Sequence, residues 1–301
     1  MSATDLPRTI DQYLARLRVA LRDADPAMRQ DALYDAEEYL RAELASNPGS
    51  TEAEVVSSVA GSYGAPEEVA DIYRDTEVTV ARALRPPLPP RRGSVLGRFF
   101  AVAADARTWS ALFYMMLSAA TGIFYFTWAV TGLSLSAGLA LLIIGVPFVI
   151  LFFASVRLLS LVEGRIVETL LGERMPRRPT YAAQGEPILT RIGAMFTDPR
   201  TWSTLVYMLL MLPLGIIYFT LTTTGLTLSL GLIAAPFAQI LGEVGLMRID
   251  DAEFLLPVWA SPLTAVLGVA LLFTLLHLIR AIGRSHGLLA KHLLVKMSRN
   301  D

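Results

Sequence analysis

Asp105-Ala-Arg-Thr-Trp-Ser-Ala-Leu-Phe-Tyr114 returns as Asp198-Pro-Arg-Thr-Trp-Ser-Thr-Leu-Val-Tyr207. The register of 93 positions continues through Gly122/Gly215, Tyr125/Tyr218, Phe126/Phe219, Thr127/Thr220, Gly132/Gly225 and Gly138/Gly231. Self-similarity held in one register implies a duplicated structural unit. Both copies are overwhelmingly apolar. Asp, Glu, Lys, Arg and His are absent from Thr108 to Val156 and from Thr201 to Gly242, and His277 is the only one of them between Phe254 and Ile279, giving stretches of 49, 42 and 26 residues. Since about 20 apolar residues cross a bilayer, the first stretch has room for two crossings and a tight turn. The duplicated unit therefore reads as a membrane helical hairpin.

In the first copy, residues 111–131 and 138–160 are expected as antiparallel helices joined by Thr131-Gly-Leu-Ser-Leu-Ser136. The second copy is longer. Gly138 stands 19 positions before Arg157, whereas Gly231 stands 49 before Arg280, which marks an insertion of 30 residues within about 226–261. Charge fixes the expected topology. Five Arg lie between 85 and 107, seven between 157 and 200, and five Arg or Lys between 280 and 301, while Arg248 stands alone beside Glu243, Asp250, Asp251 and Glu253. The positive-inside rule places both termini and the 165–200 connector in the cytoplasm of a multi-pass plasma (inner) membrane protein. A crossing by 226–242 would bring the acidic segment inside and the basic tail outside. That segment is therefore expected to fold back on or into the outer leaflet, with re-entrant, interfacial and fifth-span placements as the alternatives. With both copies starting on one side, they should form two hairpins running in the same sense, related by an axis along the membrane normal.

Outside the membrane region, residues 1–84 carry sixteen Asp or Glu against eight Arg, a net of −8, and the remainder a net of +7. The acidic front part repels phosphate, which argues against direct nucleic-acid binding. No secretory leader is evident at the start. The chain has no cysteine, which removes disulfides, thiolate nucleophiles and cysteine-ligated zinc. Ile10, Leu14, Leu17 and Leu21 recur at helical spacing, as do Leu33, Ala36, Leu40 and Leu44. Asp25-Pro26 supplies an N-cap and N1 proline, Asn47-Pro48-Gly49 a stop, Thr51-Glu-Ala-Glu54 a capping box before Val55, Val56, Val59 and Tyr63, and Gly64-Ala-Pro66 the start of a last helix through Val69, Ile72 and Tyr73. The expected fold class is all-α: a small soluble four-helix domain and a four-helix transmembrane bundle made of two repeated hairpins. The expected boundaries are 1–84 for the helical signalling domain, 85–98 for a Pro/Arg-rich linker, 99–172 for membrane repeat 1, 173–191 for a cytoplasmic connector and 192–295 for membrane repeat 2. Four prolines in Arg85–Arg92 make the linker a stiff, extended spacer.

The twin Asp-x-Arg-Thr-Trp elements are expected at the membrane interface, with Asp105 and Asp198 capping helices, Arg107 and Arg200 meeting lipid phosphates, and Trp109 and Trp202 lying in the headgroup layer. The glycines in register suit close helix packing. Tyr125, Thr127, Tyr218, Thr220 and Thr223 are the polar content of the outer helix halves and the candidate lining of a ligand cavity, although threonine hydroxyls can also bond to their own helix. His277 and His286 have no carboxylate or second histidine at ligand spacing and read as interfacial, so no metal site is expected. No acidic residue stands near the middle of an expected span, which weighs against an ion-coupled transporter. No catalytic residues and no cofactor motif are found.

Two family resemblances rest on these residues. Tyr34-Asp-Ala-Glu-Glu-Tyr-Leu40 and Tyr63-Gly-Ala-Pro-Glu-Glu-Val-Ala70, with the Leu-rich first helices, resemble the helix-turn-helix-associated alpha-helical signalling domain over about residues 5–80. Asp198-Pro-Arg-Thr-Trp202 and Leu214-Gly-Ile-Ile-Tyr-Phe-Thr-Leu-Thr-Thr-Thr-Gly-Leu226, with their first copies, are similar to a sensor domain found fused to bacterial kinases and signalling modules, over about 100–295. The resemblance implies a non-enzymatic membrane sensor whose front domain contacts a winged helix-turn-helix regulator, often PadR-like. Membrane lipids and that regulator are the expected partners, and a homo-oligomer is compatible with both. A scaffold that recruits a partner without sensing, and a small transporter component, are the alternatives. Asp251→Cys, in a chain with no other cysteine, is expected to react with an impermeant thiol reagent in intact cells. A silent residue 251 beside an equally silent cytoplasmic control would contradict the outer placement of the insertion.

Overall fold

The computed structural model describes residues 7–83, 94–139, 145–177, 193, 197–240, 248–249, 252–253 and 260–295. Among the described residues the fold is all-α apart from a two-residue antiparallel ladder. The helices are α1 (Ile10–Ala20), α2 (Pro26–Ser46), α3 (Glu52–Ser62), α4 (Pro66–Ala83), α5 (Val95–Phe100) with a 3-10 turn at Ala101–Ala104, α6 (Ala106–Leu139), α7 (Gly145–Leu171), α8 (Pro199–Ile240) and α9 (Ser261–Leu294). Strands β1 (Arg248–Ile249) and β2 (Ala252–Glu253) pair within the insertion. The chain divides into two compact units: Met1–Pro86, Thr131–Tyr207 and Gly287–Asp301 in one, Pro87–Val130 and Met208–His286 in the other. The core of the linker, at 85–93, and most of the 173–191 connector lie outside the described residues, as do Glu243, Asp250 and Asp251.

The front domain in the first unit follows its punctuation. Asp25 accepts the Ala27 N–H at 2.9 Å and starts α2, whose C-cap is Asn47. Thr51 and Glu54 form both bonds of the capping box, and the backbone bond from Thr51 holds the exposed Glu54 carboxyl below its usual range. Gly64 has φ +117°, a left-handed conformation open to glycine, and turns the chain into α4. Ile10, Tyr13, Leu14, Leu17 and Leu21 pack against Ala36, Leu40, Val55, Val56, Val59, Val69 and Ala70. Tyr13 donates its phenol to Gly64 O at 2.8 Å from inside this core, and burial pushes that phenol well above its usual range. Ile72 departs from expectation. It stands 60% exposed, because Val69, Ala70 and Tyr73 face the core from the same helix.

Among the described residues four helices, α6, α7, α8 and α9, are long and apolar enough to cross a membrane. They outrun the expected limits. The turn expected at Thr131–Ser136 is instead part of α6, and Gly132 serves packing, since a Cβ there would collide with the Phe152 ring. Helix α7 continues beyond residue 160 to Leu171 and carries Glu163, Arg165 and Glu168 within it. Helix α8 runs unbroken through 226–240, which therefore does not fold back on its own; Ser229 Oγ returns its bond to Gly225 O at 2.6 Å within the helix. At about 1.5 Å per residue its 42 residues measure about 63 Å, roughly twice the hydrocarbon core of a bilayer.

Within the second unit, α6 and α8 cross at glycines. A Cβ on Gly122 would collide with Met211 O, and one on Gly215 with Ser118 O, so the two backbones are in contact at equivalent positions of the 93-residue register. Thr222 Oγ1 reaches Met115 Sδ at 3.6 Å and Thr223 Oγ1 reaches Met116 Sδ at 3.9 Å. As residue numbers rise from 115 to 122 on α6 they fall from 222 to 211 on α8. The two helices are antiparallel at this crossing, contrary to the same-sense hairpins expected from charge. An antiparallel crossing at equivalent residues is the geometry of inverted repeats. Gly122→Ala or Gly215→Ala is expected to force the backbones apart and lower stability by about 1–3 kcal/mol. Gly138→Ala and Gly231→Ala, with nothing within 4 Å of the new methyl, should be neutral. Thermal unfolding in detergent separates the two outcomes, and equal melting temperatures for all four would contradict the crossing.

Candidate functional site

Helix α7 ends because Gly172 takes φ +75°, with its N–H bonded to Glu168 O at 3.2 Å. The reversal presents Glu173–Arg177 to the front domain inside the first unit. Met175 is fully buried and sits over Gly164, where a Cβ would be 3.4 Å from its own Cβ. Arg165 bonds to Glu168 and to Pro176 O at 2.8 Å, which fixes the far end of the segment.

Held this way, Arg174 meets three carboxylates. Its Nη2 lies 3.6 Å from Asp31 Oδ2 on α2 and 3.4 Å from Glu77 Oε2 on α4, and its Nη1 lies 3.3 Å from Glu168 Oε1 on α7. Asp31 Oδ1 also accepts the Arg177 backbone N–H at 2.7 Å. The Arg174 side chain is 14% exposed and that of Asp31 8%, so water screens these pairs poorly. Beside them Tyr73 donates to Asp35 Oδ2 at 2.8 Å, and burial, then this bond, hold the phenol protonated. A cavity of about 240 Å³ opens among Met28, Asp31, Asp35, Tyr73, Glu77 and Arg174. A second link to the front domain joins Asp25, the cap of α2, to Lys291 on α9. Arg200 Nε donates to Leu294 O at 2.9 Å and Ser203 Oγ to Leu293 O at 2.7 Å, so the start of α8 and the end of α9 meet in the same unit.

A second constellation lies between apolar helices. In the first unit Tyr207 donates to Glu163 Oε1 at 2.7 Å, with both residues at most 2% exposed. In the second unit the His286 ring, 1% exposed, has Nε2 at 2.6 Å from Tyr114 Oη and Nδ1 at 3.2 Å from Tyr218 Oη. The pairs occupy equivalent positions. Tyr114 and Tyr207 are 93 apart, and Glu163 and His286 are 123 apart, the register after the 30-residue insertion. Ion pairs repeat the pattern: Asp105 with Arg280 at 3.1 Å in one unit, Asp198 with Arg157 at 3.4 Å in the other.

The predicted site residues divide between these settings. Asp105 accepts the Arg107 N–H and Asp198 the Arg200 N–H, each at 3.0 Å. Trp109 and Trp202 are about half exposed; Trp109 Nε1 donates to Ala103 O at 2.8 Å, and Trp202 stands edge-on to Phe153. Arg107 is half-buried. Of the five cavity candidates, Tyr125 and Tyr218 are buried, and Thr127, Thr220 and Thr223 are exposed. His277 packs on Phe99, with Nε2 at 3.2 Å from its carbonyl. His286 is not interfacial but enclosed. Among the described residues no cluster of His, Cys, Asp and Glu fits a metal ion.

Sequence reading missed Arg174 and Glu163 and misplaced His286. The register that paired Tyr114 with Tyr207 also pairs Glu163 with His286, and following it past Arg157 and Arg280 is the signal that reaches them. A family model described as "Putative sensor" matches residues 114–294, and one described as HAAS matches residues 12–71. No curated protein and no solved structure matches the chain. Tyr207→Phe removes a bond to a buried carboxylate and is expected to cost about 1.5–3 kcal/mol. Arg41→Ala, which breaks a part-exposed pair with Glu37, should cost under about 0.5 kcal/mol. Denaturant titration in detergent would contradict the buried bond if the two variants unfolded alike.

Proposed function

We propose that this chain, which belongs to the family described as "Putative sensor", is a non-enzymatic integral membrane sensor that relays an envelope, lipid or amphiphile signal to a cytoplasmic winged helix-turn-helix regulator of the PadR-like type by protein–protein contact. The observation that carries the reading is the charged seam. Arg174, beyond α7, and Lys291, near the end of α9, are both bonded to carboxylates of the front domain, so a displacement of either helix alters that domain's attachments. Neither matching family is an enzyme family.

The side on which the front domain, the end of α7, the start of α8 and the end of α9 gather is taken as cytoplasmic, because Arg165, Arg174, Arg177, Arg200 and Lys291 stand there. Both termini are then cytoplasmic, in a plasma membrane protein organised as front domain 1–84, linker 85–98, membrane copies 99–172 and 192–295, and connector 173–191. Asp105, Arg107, Trp109, Asp198, Arg200 and Trp202 are assigned to the interface, and Tyr125, Thr127, Tyr218, Thr220 and Thr223 to ligand binding. Charge supplies the switch. A −8 domain held to a basic rim by a few ion pairs is released when a stimulus favours the undocked state by more than those pairs contribute.

The full-length chain, affinity-purified at low salt from its own cells with and without an amphiphile challenge, tests the reading. Recovery of a winged-helix DNA-binding protein in amounts that change with the challenge is expected. Equal recovery in both conditions would make the chain a scaffold, and the absence of any such regulator would overturn the proposal.

A further inference from the structure

Arg174 is a poor fit to the place it occupies. Its three ion pairs, at 3.3–3.6 Å, are longer than the 2.7–2.9 Å of a well-formed charge-assisted hydrogen bond. Its Nε is buried without a hydrogen-bond partner. The cavity of about 240 Å³ beside it lies between α2, α4 and Arg174. On the front-domain wall, Asp31 and Asp35 are each held through one oxygen by a neighbour other than Arg174. Asp31 and Asp35 stand one helical turn apart on α2, Glu77 faces them from α4, Tyr73 holds Asp35, and the Arg177 N–H holds Asp31. Arg174 reaches this wall through one nitrogen, Nη2, which lies between Asp31 and Glu77, while its Nη1 turns away to Glu168 on α7. An arginine arriving without that tether has a second guanidinium nitrogen to offer Asp35, which lines the same cavity, and a point-charge ammonium does not.

From this geometry we infer that Asp31, Asp35, Glu77 and Tyr73 form an arginine-binding site on the front domain, filled in cis by Arg174 and taken in trans by an arginine of the protein partner once Arg174 withdraws. The cis arginine is thus a tethered competitor. Its loose pairing keeps the exchange reversible, and its position directly after α7 ties occupancy to the membrane helices. The tether gives Arg174 a high effective concentration, so a partner arginine of equal intrinsic affinity is excluded until α7 or its C-terminal turn shifts. The inference rests on the sensor reading for the existence of a partner, and on the seam alone for the site.

The test needs neither stimulus nor regulator, so its failure leaves the sensor reading standing. Full-length Arg174→Ala and the parent chain, in detergent and shown to be equally helical, are titrated with the blocked tripeptides acetyl-Ala-Arg-Ala-amide and acetyl-Ala-Lys-Ala-amide. The arginine tripeptide should bind Arg174→Ala about tenfold or more tighter than it binds the parent, and tighter than the lysine tripeptide binds Arg174→Ala. Adding Glu77→Gln to Arg174→Ala should abolish the gain. If Arg174→Ala loses its fold, Arg174→Lys carries the same test, because a lysine reaches fewer of the carboxylates and should leave the site more open to the arginine tripeptide than in the parent. Equal binding to parent and variant, equal binding of the two tripeptides, or a gain that survives Glu77→Gln would each overturn the site.

Discussion

Arg174 lies 14% exposed among carboxylates from α2, α4 and α7, and the relation between the front domain and the membrane helices depends on it. A cation so placed cannot be removed cheaply, since the charges around it are also withdrawn from water, yet its pairs are too long to be worth their full Coulomb energy. In the proposed switch, such a join can be exchanged at less cost than a tightly paired buried cation would incur. Lys291 adds a second, more exposed attachment to Asp25, the residue that also caps α2. The same carboxylate therefore starts a helix and holds a neighbour.

Membrane packing has its own constraint, the close approach of α6 and α8 at Gly122 and Gly215. Lipid gives no hydrophobic drive to helix pairing, so backbone proximity and the polar pairs around it must supply the specificity. Tyr207 with Glu163, and Tyr114 with His286, place one polar pair at equivalent positions of each unit. A transporter reading gains from buried Glu163 and His286. Both side chains, however, are tied to tyrosines, and the sensor reading needs no mobile proton from either.

Much of the fold was legible because local chemistry punctuates it. Asp25-Pro26, the Thr51/Glu54 box and Gly64 each act within a few residues, and the front domain formed where they predicted. The helix ends in the membrane were not legible. Thr131–Ser136 looked like a turn because glycine and serine break helices in water, whereas here Gly132 admits Phe152 and the helix continues. Residues 226–240 looked like a separate element because the charge rule counted crossings, and no composition rule sees that one helix of 42 residues carries them. Ile72 fitted the periodicity of its helix but faces outward, since three neighbours already fill the core.

The site was less visible for a related reason. Ion pairs such as Arg174 with Asp31 join positions far apart in the chain, and only net charge hints at them: the −8 and +7 halves foretold attraction without naming residues. The central claim is that these pairs hold the front domain to the ends of the membrane helices and that it leaves when they are lost. Spin labels at Ser58→Cys and Leu288→Cys, both exposed positions of the first unit, measure that attachment by pulsed dipolar spectroscopy in lipid nanodiscs. The account predicts one narrow distance in the parent background at low salt, and a longer, broader distribution when Arg174→Ala and Lys291→Ala are combined. The same narrow distance in both would contradict it.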